Sequence, residues 1–223
     1  MKNQVKNNQE SMSNFFKSLS VLLQKISAKL KDKKKVAVVL PQIQISKIRQ
    51  TFYRLIDEMF FIIDVRLYLN EELRKKEINL FRCYYHIDNF YHRIYVLEEM
   101  ICRLISNILL HKSFNNKDEF QKELQTSSYV DIKRSWNAFL KDDVIAKARK
   151  RRTKLVHRTG YSAQELSILW SMWNGTKRRM SDQSKESQER FCKQEYKHIL
   201  KIIAKYSNFV HSLLLTIDDY LRV

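Results

Sequence analysis

The sequence predicts an all-α protein: an up-and-down bundle of four to five long helices with shorter helices between them. Three observations lead to it. The 223 residues include only two glycines, Gly160 and Gly175, and one proline, Pro41; a chain of many strands needs far more turn residues. Hydrophobic residues make up 44% and aromatic residues 12%, enough for a sizeable core and unlike a disordered chain. Long stretches rich in Leu, Ile, Lys, Glu and Arg carry apolar residues at helical spacing. A flexible tail is expected over 1–12 and a single helical domain over 13–223.

The elements follow in order. Ser13 is placed to cap a helix over 13–32, with Phe15, Leu19, Leu22, Leu23, Ile26 and Leu30 at helical spacing. Lys31, Lys33, Lys34 and Lys35 then form a basic link that stops near Pro41; it is either solvated or in contact with phosphate. The next helix, over 44–72, presents Phe52, Leu55, Ile56, Met59, Phe60, Ile63 and Leu67 as its apolar face. The strongest stripe is Ile87, Phe90, Ile94, Leu97, Ile101, Leu104 and Ile108, along a helix over 78–111. A loop over 113–117 and a short helix over 118–124 follow. One helix is expected over 131–158, with Gly160 as its C-cap, then a shorter one over 161–174 and a charged loop over 177–185. The last helix, over 186–221, turns Phe191, Tyr196, Ile199, Ile202, Ile203, Phe209, Leu213, Leu214 and Ile217 inward. No internal repeat is visible.

Lys and Arg number 42 against 24 acids, a net charge of +18. Such an excess repels itself in a compact chain unless an anion binds; beyond a merely solvated surface it suits a nucleic-acid or an acidic-membrane partner, and its size favours nucleic acid. Cys83, Cys102 and Cys192 are odd in number and show no C-x-x-C spacing; they read as free buried thiols in a reducing compartment. The polar start lacks the apolar core of a signal peptide, and no run approaches the roughly 20 apolar residues of a membrane span. A cytoplasmic protein with no membrane partner is expected. No His or Cys cluster has zinc-ligand spacing, and neither G-x-x-x-x-G-K nor G-x-G-x-x-G occurs. No metal and no cofactor are therefore expected, and nucleotidyl transfer and kinase chemistry lack a phosphate-cradling loop.

The chemistry concentrates in 147–158, K-A-R-K-R-R-T-K-L-V-H-R, which holds Lys147, Arg149, Lys150, Arg151, Arg152, Lys154 and Arg158. At 100° per residue, Val144, Ile145, Ala148, Leu155 and Val156 fall in one sector of about 120°. Arg152 falls inside that sector, whereas Lys147, Lys150, Arg151 and Lys154 fall outside it. An arginine on an apolar face needs an anion, a hydrogen-bond network or a cleft. His157 stands five residues on, about 140° around the helix, where the C-terminal dipole favours its protonated form. Such a pair suits RNA cleavage. A base of near-neutral pKa takes the proton of a ribose 2′-hydroxyl, and a fixed guanidinium stabilises the charge that builds on the attacked phosphate. DNA, without that hydroxyl, is spared.

The segment 152–157, R-T-K-L-V-H, resembles the R-x-x-x-x-H signature of HEPN domains, helical bundles common in prokaryotic defence and toxin–antitoxin systems. The segment 86–97, H-I-D-N-F-Y-H-R-I-Y-V-L, is similar to the central helix of one bacterial HEPN subfamily. The resemblance covers about 45–221. It implies a metal-independent endoribonuclease and a homodimer in which two Arg/His pairs share one composite cleft, and for some members an antitoxin partner. By position, Arg152 would bind and polarise the phosphate and His157 would be the acid and base. Arg149, Arg151, Lys154 and Arg158 would draw in the RNA backbone. Thr153 stands where members often carry Asn or Asp, and Thr159 where antitoxin-paired members often carry Tyr.

Other candidates have two readings each. Arg82, His86, Asn89 and Arg93 form one polar stripe. It is an exposed helix face, or a second RNA-contacting wall through Asn89 and Arg93. Asp88 and His92 are a local i,i+4 pair or an orienting one. Trp136, Trp170 and Trp173 pack in a core or interface, or stack on bases. The alternative to a nuclease is a non-catalytic helical module that binds RNA or protein; a scaffold that binds protein alone is the third reading.

Overall fold

The computed structural model describes residues 42–110, 112, 114, 116–157 and 182–220, with Val21, Gln24, Lys25 and Ala28; within the helices it does not extend to the side chains of 42–45, 154–157, 182–184 and 220. The protein is an all-α helical bundle, with no strand among the described residues. Its α-helices are α1 (Gln42–Arg74), α2 (Leu80–Ile105), α3 (Lys117–Thr126), α4 (Val130–Lys141), α5 (Asp143–His157) and α6 (Asp182–Tyr220), and a π-helical turn, Ser106–Leu110, continues α2. Most of the expected 13–32 helix lies outside the described residues. So do the Lys31–Lys35 link, the Gly160 cap, the 161–174 helix with Trp170 and Trp173, and Arg158. The last helix starts at Asp182, inside the span expected to be a loop.

Two compact units divide the chain. The first takes the described residues of Met1–Leu55, Glu99–Phe139 and Tyr206–Val223. Ile48, Phe52 and Leu55 of α1, Ile101, Leu104 and Ile105 of α2, and Val210, Leu213, Leu214 and Ile217 of α6 are buried in it. Its aromatic centre is Phe120, Trp136, Phe139, Tyr206 and Phe209, with Phe139 stacked on Phe209 at 4.2 Å between centroids. The second unit takes Ile56–Glu98 and Leu140–Lys205, where Ile62, Val65, Leu69, Ile87, Phe90, Ile94, Ile145, Ala148, Ile199 and Ile202 are buried. Every member of the apolar stripe expected on α2 is buried. On α1, Phe52, Leu55 and Met59 are buried as expected, whereas Ile56, Ile63 and Leu67 are half-buried and Phe60 is 52% exposed; Ile62 and Val65 turn inward instead.

The single helix expected over 131–158 is two helices, broken at Asp142. The reason is phase. Ile132, Trp136 and Phe139 are buried on α4, and Ile145 and Ala148 on α5; in one unbroken helix these two faces would lie about half a turn apart. Asp142 makes the break and caps the new helix. Its carboxylate accepts from the backbone N–H of Val144 at 2.9 Å and Ile145 at 3.4 Å, and pairs with Lys205 at 2.7 Å. The Lys205 hydrogen bond, helped by the two amides against partial burial, holds the Asp142 carboxyl below the usual carboxylate range. Asp142→Ala is expected to cost about 1–2 kcal/mol in urea denaturation. As pH falls, the unfolded carboxyl takes its proton first. The contribution is therefore complete above the ordinary carboxylate range and fades as pH drops through the lowered folded value, so wild type and variant converge in acid.

Candidate functional site

The basic helix α5 lies in the second unit beside one face of α2 and the first turns of α6. Asp88, Tyr91, Tyr95 and Glu98 recur at helical spacing and line that face of α2. The Arg152 guanidinium carbon lies 3.6 Å over the centroid of the Tyr95 ring, and that of Arg151 lies 5.4 Å over Phe191 of α6. Both arginines are half-buried. Arg152 was expected on the apolar side and Arg151 outside it; the structure turns both inward, because α2 and α6 each offer an aromatic ring within reach of the long side chain.

A ring face attracts a guanidinium but accepts no in-plane N–H hydrogen bond. Accordingly Arg152 Nε, Arg151 Nε and Arg151 Nη2 are buried without a hydrogen-bond partner. Arg49 and Arg93 also bury an Nε without a hydrogen-bond partner; Arg151 differs in burying a second donor, Nη2. Buried donors call for a partner, and at α5 a phosphate oxygen would be a fitting acceptor. Arg149 is held otherwise: its Nε is 3.6 Å from Glu98 Oε2, a carboxylate whose side chain is only 4% exposed. Lys147 and Lys150 are exposed.

Carboxylates frame these cations. Buried Tyr91 donates its hydroxyl to Glu195 Oε2 at 2.9 Å, and burial, then the Glu195 charge, pushes the phenol well above its ordinary value. Desolvation raises the Asp88 carboxyl, against the pull of His92 and Arg151.

The three arginines of α5 meet different partners: Arg149 faces Glu98, Arg152 lies over Tyr95, and Arg151 lies over Phe191. His157 ends the helix; its side chain and that of Lys154 lie outside the described residues, as does Arg158 altogether. Asn89 and Arg93 are not brought to this cluster. The stripe Arg82, His86, Asn89 and Arg93 lies about half a turn around α2 from Tyr95 and runs along α1. Arg82 pairs with Glu72 at 3.3 Å, His86 stacks on Tyr68 at 5.6 Å, and Arg93 meets Glu58 at 3.0 Å and Phe61 at 4.4 Å. Asn89 is half-buried there. The sequence reading missed Tyr95, Glu98, Phe191 and Glu195. The sign available for the α2 pair was the Asp88, Tyr91, Tyr95, Glu98 periodicity, opposite the polar stripe.

Trp136 is in the core of the first unit, 2% exposed. All three cysteines are buried thiols outside any disulfide; the neighbouring Cys83 thiol and burial raise that of Cys192 far above the ordinary range. Among the described residues no group of three His, Cys, Asp or Glu side chains is placed to hold a metal ion, and no helix is long and apolar enough to cross a membrane. Compared with protein-family models, curated proteins and solved structures, the chain matches none of them.

Proposed function

We propose that this chain is a metal-independent endoribonuclease of HEPN type, a cytoplasmic homodimer acting in prokaryotic defence or beside an antitoxin. The observation that carries the reading is the pair Arg151 and Arg152, whose buried guanidinium nitrogens lack hydrogen-bond partners on a helix rich in further cations. RNA phosphate supplies the missing acceptors. Arg152, steadied on Tyr95, stabilises the charge that builds on the phosphate during attack. His157 takes the proton of the 2′-hydroxyl and returns one to the leaving oxygen, so the product ends in a cyclic phosphate. Arg149, Lys147 and Lys150 attract the backbone; no cofactor is needed.

The test is incubation of the purified protein with a long labelled RNA in EDTA, beside His157→Ala. The expected result is cleavage by wild type alone, with 2′,3′-cyclic phosphate ends. A non-catalytic RNA-binding module is the second reading, favoured by the Arg149–Glu98 pair, which immobilises a cation without freeing its donors for chemistry. Equal, salt-sensitive RNA binding by both proteins with no cleavage selects it.

A further inference from the structure

A face of opposite character runs along α1 in the second unit. Asp57, Phe60, Asp64, Tyr68 and Glu71 recur at spacings of 3, 4, 4 and 3, so they form one line about 20 Å long. All five are exposed, with Phe60 at 52% and Tyr68 at 55%. Tyr85 of α2, 59% exposed, joins this line through His86: the two rings meet edge to face with centroids 5.3 Å apart, and His86 in turn stacks on Tyr68. Large aromatic side chains gathered at a surface mark an interaction site more often than scattered ones do.

The charge says what kind of partner. Residues 56–73 carry Asp57, Glu58, Asp64, Glu71 and Glu72 against the single base Arg66, in a chain of net charge +18. Glu58 and Glu72 are answered by Arg93 and Arg82, and Arg66 is buried. Asp57, Asp64 and Glu71 are exposed carboxylates, and none makes an ion pair among the described residues. They repel nucleic acid and anionic lipid and attract cations. The chain itself already makes the complementary contact once beside this line: Arg93 places its guanidinium over Phe61 while pairing with Glu58.

We infer that this acidic, aromatic line of α1 docks a basic amphipathic helix of a partner protein. A line of about 20 Å matches about four turns of helix. Its alternation of rings and carboxylates at three- and four-residue spacing suits apolar and Lys or Arg side chains repeating at the same period. Rings and carboxylates together hold such cations better than either alone.

The probe is a fluorescein-labelled 18-residue Leu/Lys amphipathic peptide, titrated with the full chain at physiological salt and read by anisotropy, beside a Leu/Glu peptide of the same pattern. The chain's net positive charge opposes the Leu/Lys peptide, so binding reports the local face. Saturable binding of the Leu/Lys peptide is expected, and any Leu/Glu binding belongs to the basic surface elsewhere. Leu/Lys binding should weaken about tenfold in Phe60→Ala with Tyr68→Ala, and about three- to tenfold in Asp57→Asn with Asp64→Asn and Glu71→Gln. Absent binding of the Leu/Lys peptide, binding unchanged in both variants, or Leu/Glu binding weakened by the same variants overturns the inference. Sedimentation of the same proteins supplies another contrary result: a dimer dissociated by Phe60→Ala with Tyr68→Ala would make this line an interface between copies.

Discussion

Replacing Arg152 with alanine is expected to slow single-turnover RNA cleavage by about 10²–10³-fold while weakening RNA binding only modestly. On the proposed reading the two effects would separate, because the two jobs would fall to different groups. Under the proposed function, affinity for RNA would spread over Lys147, Lys150 and Arg151, each adding its own share of counterion release. Stabilising an attacked phosphate needs one planar donor set fixed where the charge appears. Arg152 is fixed by the Tyr95 ring 3.6 Å from its guanidinium carbon, with its Nε donor unsatisfied. Lysine keeps the charge but not the planar fork that stacks and donates in parallel, so Arg152→Lys is expected to lose nearly as much rate as Arg152→Ala and almost no affinity. The checks are single-turnover rates and filter-binding constants at two salt concentrations. Full rescue of rate by lysine would reduce Arg152 to a point charge, and a loss of affinity equal to the loss of rate would make it a binding residue alone.

What the sequence could reveal of this fold was what periodicity encodes. Ile87 to Ile108 keeps one apolar phase for six turns, and every member is buried. The break at Asp142 was harder to see, because polar residues on both sides hide a phase change that appears only when Trp136 and Ile145 are placed on one wheel. Phe60 shows the reverse limit: an aromatic residue at helical spacing was assigned to the core, yet the apolar surface of α1 is served by Ile62 and Val65. At the site, the inward turn of Arg152 follows from its angular position, but that of Arg151 does not. Its side chain is drawn in by Phe191, a residue forty positions away whose proximity no local pattern contains. The polar stripe from Arg82 to Arg93 was legible as a stripe. What it faces, Glu72, Tyr68 and Glu58, was not, since helix pairing is a tertiary choice.

Trp136→Ala is expected to be the most destabilising of the substitutions considered, at about 3–5 kcal/mol. The indole stands among Phe120 at 5.6 Å, Phe209 at 5.7 Å and Phe139 at 6.0 Å, so its removal takes contacts from three rings at once and leaves a cavity that rigid aromatic neighbours fill poorly. The change also orphans Gln121, whose side-chain carbonyl accepts from Trp136 Nε1 at 3.3 Å; a partner left without its donor adds to the penalty. Against a total stability of about 5–15 kcal/mol for an ordinary domain, such a loss takes the protein near its unfolding threshold at 37 °C. Trp136→Phe keeps most of the volume and ring contacts and loses the hydrogen bond, so about 1–2 kcal/mol is expected. Urea denaturation followed by circular dichroism measures both. RNA affinity of Trp136→Phe separates packing from base stacking: a buried core ring leaves it unchanged, whereas a stacking platform would shift the affinity while stability stayed near that of wild type.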